Sequence, residues 1–270
     1  MTNATSTPNS SAPHRIVSLD ASNTEILYAV GAGSQVIAVD QDSDYPANAA
    51  HSRLDATKPN VEAIAADHPD LVVTAYDTDN LVASLKKIGI PALVASAPST
   101  LDQAYQIWSK IGHATGHDAQ ANALIANARK EIGATVAATV KPATPLRYYY
   151  ELDQTYYTAT SHTFIGGLLG SFGMTNIADP ADSPAAGGYP QLSAEAVLGA
   201  NPNLIFLADS QCCAQNAGTV AARPGWATLT AVRDNDVVAL NDDIASRWGP
   251  RVVDLVRAVA AAVNKVAGRG

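Results

Sequence analysis

The chain has 270 residues, 47% of them apolar, a formal charge of −8 and a pI near 5.1. That length is comfortable for two domains, each with a sizeable core. No segment clusters Lys and Arg, and no apolar run approaches the ~20 residues of a membrane span, so nucleic acid and anionic membrane surfaces are poor partners.

The leader "MTNATSTPNSSAPH" (1–14) is small, polar and Pro-containing, which predicts a flexible tether or a frayed terminus. No signal peptide is legible, so the chain reads as cytoplasmic or already processed. "RIVSL" (Arg15–Leu19) is a β-branched strand. Ser22 followed by Glu25 predicts a capping box for the next helix, which Gly31 or Gly33 would end. "QVIAV" (Gln35–Val39) is the second strand. A helix over Val61–Ala66 then leads into a strand over Asp70–Ala75. "DNLVASLKKIG" is a helix stopped by Gly89, and "IPALVAS" a strand. Continuously apolar strands alternating with helices predict parallel sheets covered on both faces.

Leu124, Ile125, Ala128, Ile132 and Val136 share one helical face, predicting a linking helix over Asp118–Val140. Such a helix would be about 35 Å long, enough to join two lobes rigidly. "RYYYEL" starts the pattern again, followed by a helix over Ser161–Gly173. "AEAVLGANPNLIF" (Ala194–Phe206) repeats "VEAIAADHPDLVV" (Val61–Val73), with a Glu at the same place. A helix near Val220–Leu229, a strand over Asp236–Leu240 and a helix over Gly249–Val266 complete the second copy. The organisation is a leader at 1–14, an N-terminal lobe at 15–115, a linking helix at 116–142 and a C-terminal lobe at 143–270.

Ligands of parallel sheets bind beyond the carboxyl ends of the strands. The segments there are polar and several carry aromatics: Asp20 and Ser22; Tyr45; Tyr76; Tyr156 and Tyr157; Gln211, Cys212 and Cys213; Asp242, Arg247 and Trp248. Taken singly they read as ordinary turns, whereas aromatics in loops of both halves point to one shared cleft. Adjacent Cys212 and Cys213 predict either a strained vicinal disulfide at the mouth of that cleft or two reduced thiols. His113 and His117 flank the helix breaker Gly116, and no set of converging N/O ligands predicts a metal site. A small α/β enzyme using Asp20, Asp42, Asp44 or Asp209 is the rival class, but nucleotide-binding, hydrolase and metalloprotease motifs are absent.

Read in order, "RIVSLDASNTEILYAVGAGSQVIAV", "SDYP", "NVEAIAADHPDLVV", "LVASLKKIGIPALV", "LLGSFGMTNIAD", "YPQLSAEAVLGANPNLIF" and "WGPRVVDLV" resemble the class III solute-binding proteins of ABC importers. That group receives vitamin B12, ferric siderophores and haem. The resemblance covers nearly everything from Arg15 to the last helix. It implies two Rossmann-like α/β lobes joined by one long backbone helix, and an extracytoplasmic, lipid-anchored or periplasmic, monomeric receptor without cofactor or catalysis. Its implied partners are a metal chelate and an ABC permease dimer. Glu62 and Glu195 match the acids with which each lobe docks on the permease, where arginines would receive them. "SDYP" and "YPQLS" are most similar to the cobalamin-binding branch, which makes Tyr45, Tyr76 and Tyr189 aromatic walls and Asp242 a polar contact. The stretch around Asp55 lacks the aromatic that this branch carries there, and the Tyr of haem receptors. Arg247 and Trp248 would serve a siderophore.

Overall fold

The computed structural model describes residues 12–269, so most of the expected leader at 1–14 lies outside the described residues. The first half runs β1 (Ile16–Leu19), α1 (Ala21–Ala29), β2 (Val36–Val39), α2 (Val61–Ala66), β3 (Leu71–Thr74), α3 (Leu81–Lys87) and β4 (Ala92–Val94). Its four strands are all parallel, in the order β2-β1-β3-β4. Central β1 and β3 are buried throughout: Ile, Val and Leu dominate both, and the one polar residue in each, Ser18 or Thr74, is hydrogen-bonded. Val17, Leu19, Ile64, Val72, Leu81 and Leu85 form a core between sheet and helices.

Two helices follow, α4 (Leu101–Thr115) and α5 (Asp118–Ala138). Gly116 between them has φ +78, the left-handed region in which a glycine carries no Cβ penalty. The long helix expected over Asp118–Val140 is present as α5, and α4 precedes it where the sequence pattern predicts no element. Two compact units emerge among the described residues: 12–97 with 105–126, hereafter lobe 1, and 98–104 with 127–269, lobe 2. Helix α5 contributes residues to both.

Lobe 2 runs β5 (Arg147–Glu151), α6 (Phe164–Gly170), β6 (Thr175–Asn176), α7 (Ala194–Ala200), β7 (Leu204–Leu207), α8 (Ala217–Ala221), α9 (Thr230–Arg233), β8 (Val237–Ala239), α10 (Asp242–Ser246) and α11 (Val252–Ala267). Its sheet is again all parallel, in the order β6-β5-β7-β8. The duplication extends to register: Ile16 pairs with Leu71 in lobe 1, and Tyr148 with Leu204 in lobe 2. Tyr148, Tyr149 and Tyr150 are fully buried, and Tyr150 donates its hydroxyl proton to the Ala245 carbonyl at 2.7 Å.

Several boundaries differ from expectation for local reasons. Asp20, not Ser22, caps α1: its backbone is extended and its carboxylate accepts from the Asn23 N–H at 2.8 Å. Ser22 and Glu25 are buried helix residues instead. The single helix expected over Val220–Leu229 is broken, because Pro224 precedes Gly225 at φ +82. The final helix starts only at Val252, and α10 stands before it as a separate turn.

Candidate functional site

In a sheet ordered 2-1-3-4 the crevice opens where the chain reverses direction, beyond the carboxyl ends of the two central strands. Each lobe therefore offers its own rim. In lobe 1 that rim brings Asp20 and Tyr76 together, after β1 and β3. Tyr76 is 59% exposed, yet partial burial of its hydroxyl, and then the charge of Asp20, push its pKa up. Tyr45 is 44% exposed in the loop after β2. Asp55 is committed locally: its carboxylate accepts from the Thr57 hydroxyl at 2.6 Å and N–H at 2.8 Å, which hold its pKa down.

In lobe 2 the tyrosines divide. Tyr157 and Tyr189 are exposed. Tyr156, expected beside them, instead turns inward and stacks on Trp226, with ring centroids 5.4 Å apart and planes 24° apart. The Arg223 guanidinium lies over both rings. Tyr156 is a packing residue because its φ of +72 redirects the chain between Asp153 and Tyr157.

Asp242 organises the turn after β7. Its carboxylate accepts from the Ser210 hydroxyl at 3.0 Å, the Gln211 N–H at 3.0 Å and the Cys212 N–H at 2.7 Å. Burial opposes its ionisation, but the Cys212 and Gln211 amides outweigh it and hold the carboxyl below its ordinary range. Gln211 Oε1 accepts in return from the Asn241 side chain. Cys212 and Cys213 are exposed free thiols, which corrects the vicinal-disulfide expectation. Their shared peptide is trans, and a trans peptide separates neighbouring Cα atoms by about 3.8 Å, well short of an ordinary bridge. The hydrogen bond to Cys213, burial and the nearby Asp242 push the Cys212 thiol up to about 12. Arg247 is 13% exposed and paired with Asp243 at 2.7 Å, and Trp248 beside it is half-buried.

Glu62 and Glu195 occupy equivalent places. Each is exposed in the first turn of a short helix, α2 or α7. Asn60 caps α2 by accepting from the Ala63 N–H, and Ser193 caps α7 by accepting from the Ala196 N–H. The backbone N–H of Glu195 and the Ser193 hydroxyl hold the Glu195 carboxyl low.

Two features escaped the sequence reading. One is a buried ion pair, Glu151 with Arg223, joined by two contacts of 2.6 Å. The other is His162, whose Nδ1 meets Asp182 at 2.8 Å at the edge of a lobe-2 cavity of about 570 Å³. Leu101, Ile132, Val136, Phe164 and Leu168 supply much of its apolar wall, and no predicted site residue lines it. Among the described residues no cluster of metal-ligating side chains occurs, and no helix is long and apolar enough to cross a membrane.

A family model described as "Periplasmic binding protein" matches residues 16–244. The chain belongs to that family. Its members and structural neighbours are extracytoplasmic substrate-binding proteins of transport, not enzymes. An uncharacterised ABC transporter substrate-binding lipoprotein of Bacillus subtilis, YvrC, is 28% identical over 93% of this chain and 80% of its own. A cobalamin-binding protein of Halobacterium salinarum is 30% identical over 94% of this chain and 70% of its own. Among solved structures, the periplasmic vitamin B12 binding protein BtuF of Vibrio cholerae aligns with a TM-score of 0.75 at 27% identity, covering 96% of this chain and 99% of that one. The periplasmic haem-binding protein RhuT of Roseiflexus sp. RS-1 aligns at 0.80 and 24% identity, over 94% and 99%, which speaks to the fold alone. The two-lobe α/β architecture of this family is the one described above, and a small-molecule ligand and an ABC importer follow from membership.

Proposed function

We propose that the chain captures a cobalamin-type corrinoid with the loops at the carboxyl ends of its two sheets and delivers it to an ABC importer. The observation that carries this reading is the set of outward tyrosines on those loops and their neighbours. Tyr45, Tyr76, Tyr157 and Tyr189 are each more than two-fifths exposed. Aromatic faces suit a flat macrocycle fringed with amides, and their hydroxyls suit its amide edge. Haem propionates or an anionic ferric siderophore call for outward guanidinium groups instead. Arg223 and Arg247 are turned to Glu151 and Asp243, with side chains only 11% and 13% exposed. The cobalamin-binding relative over nearly the whole chain supports the same choice.

Glu62 and Glu195 are the docking acids in this reading. A carboxylate in the first turn of a helix is held by the helix dipole, and the duplicated pair suits a permease built of two like subunits. Absorbance titration and calorimetry with cyanocobalamin, haemin and a ferric hydroxamate test the ligand. Saturable corrinoid binding without turnover is expected. Saturable haemin binding with no corrinoid binding would overturn it. The double substitution Glu62→Ala with Glu195→Ala is expected to abolish importer-dependent uptake and leave corrinoid affinity within about twofold. Unchanged uptake removes the docking role.

A further inference from the structure

Glu151, Asp209 and Arg223 form a buried charge cluster at the carboxyl ends of β5 and β7. Glu151 and Asp209 expose none of their surface. Three N–H bonds of the Arg223 guanidinium are committed, two to the Glu151 oxygens and one to Gln215 Oε1 at 2.8 Å. Both Asp209 carboxyl oxygens are buried without a hydrogen-bond partner. A buried carboxylate in that state either takes a proton or acquires a cation. The groups facing it are Glu151 and Tyr149 from β5, Asp242 from α10 and Arg223 from the segment after α8. That set contains two acids, a phenol and one cation already engaged.

We propose that Asp209 is a proton-operated latch for the turn at 210–216. In the arrangement described here it is neutral and leaves Arg223 with Glu151 and Gln215. On ionising it gives its proton to solvent, draws the guanidinium toward itself and releases Gln215. Gln215 is the pivot: its N–H donates to the Asp209 carbonyl at 3.3 Å and its Nε2 to the Cys213 carbonyl at 3.1 Å. Its Oε1 also accepts from the Thr219 hydroxyl. Release of Gln215 loosens the end of the turn that carries Cys213, while Asp242 keeps its hold on Ser210, Gln211 and the Cys212 N–H. Burial, and then the charge of Glu151, lift the Asp209 carboxyl to about 7, so the transition falls in an ordinary external pH range. The consequence for ligand rests on reading this turn as part of the corrinoid site.

The whole chain, labelled with 13C at Asp carboxyl carbons and with 15N, is titrated from pH 5.5 to 8.5 by NMR. One carboxyl resonance is expected to titrate near pH 7 and to be missing from Asp209→Asn. The Cys213 and Gln215 amides move with the same midpoint in the wild type and stay still in the variant. A carboxyl already ionised at pH 5.5 overturns the latch, and so does a titration near 7 that leaves those amides unmoved; both are read on the wild type, whether or not the variant folds. Cyanocobalamin affinity is measured across the same range. A change of several-fold that tracks the midpoint, and is lost in Asp209→Asn, supports the coupling; a pH-independent affinity overturns it. Coupled carboxyl and amide titration with no corrinoid binding at any pH leaves the latch standing and removes the ligand reading instead.

Discussion

Replacing Arg223 by Met isolates the energetics of the lobe-2 charge cluster. Glu151 exposes none of its side chain and Arg223 only 11%, so solvent screens the pair weakly. Deleting one partner of such a pair leaves an uncompensated buried charge, a loss of about 3–5 kcal/mol. For a unit of this size each kcal/mol moves the midpoint by roughly 2–4 °C, so lobe 2 should melt roughly 10 °C lower. Adding Glu151→Gln to the variant should restore more than half of the loss, because no charge is then left buried without a partner. Urea denaturation at pH 6, where the neighbouring Asp209 is still mostly protonated, followed by tryptophan fluorescence, measures each step, since Trp226 lies under the guanidinium. A loss below about 1 kcal/mol, or no recovery in the double variant, would refute the reasoning.

Asp242→Ala should raise amide hydrogen exchange at Gln211 and Cys212 by one to two orders of magnitude, which corresponds to about 1–3 kcal/mol of local stability. Because the Asp242 carboxyl is held low, the wild-type turn keeps this support above the ordinary carboxyl range and loses it below about pH 4. Gly166→Ala should prevent α6 from seating, since a Cβ there would lie 1.9 Å from the Thr160 carbonyl oxygen. A loss above about 4 kcal/mol by calorimetry is expected, and Gly170→Ala, with open space around it, is the comparison that should cost nothing.

Alternating helices and buried strands, the duplication, the Gly116 break and the first-turn positions of Glu62 and Glu195 were all legible in the amino-acid order. Each depends on local chemistry: apolar periodicity, a capping Asn or Ser, and a glycine where φ is positive. Local patterns fail where two good caps compete, which is why Asp20 displaced Ser22. The facing of side chains needed the tertiary structure. Tyr156 and Tyr157 are neighbours, yet one stacks on Trp226 and the other faces solvent. Arg247, expected to face a siderophore, is paired with Asp243. Glu151 and Arg223 lie 72 residues apart. Their pairing, and the isolation of Asp209 beside them, are set by how β5, β7 and the segment after α8 pack together. Burial and ion pairing are properties of that packing, and a linear pattern does not contain them.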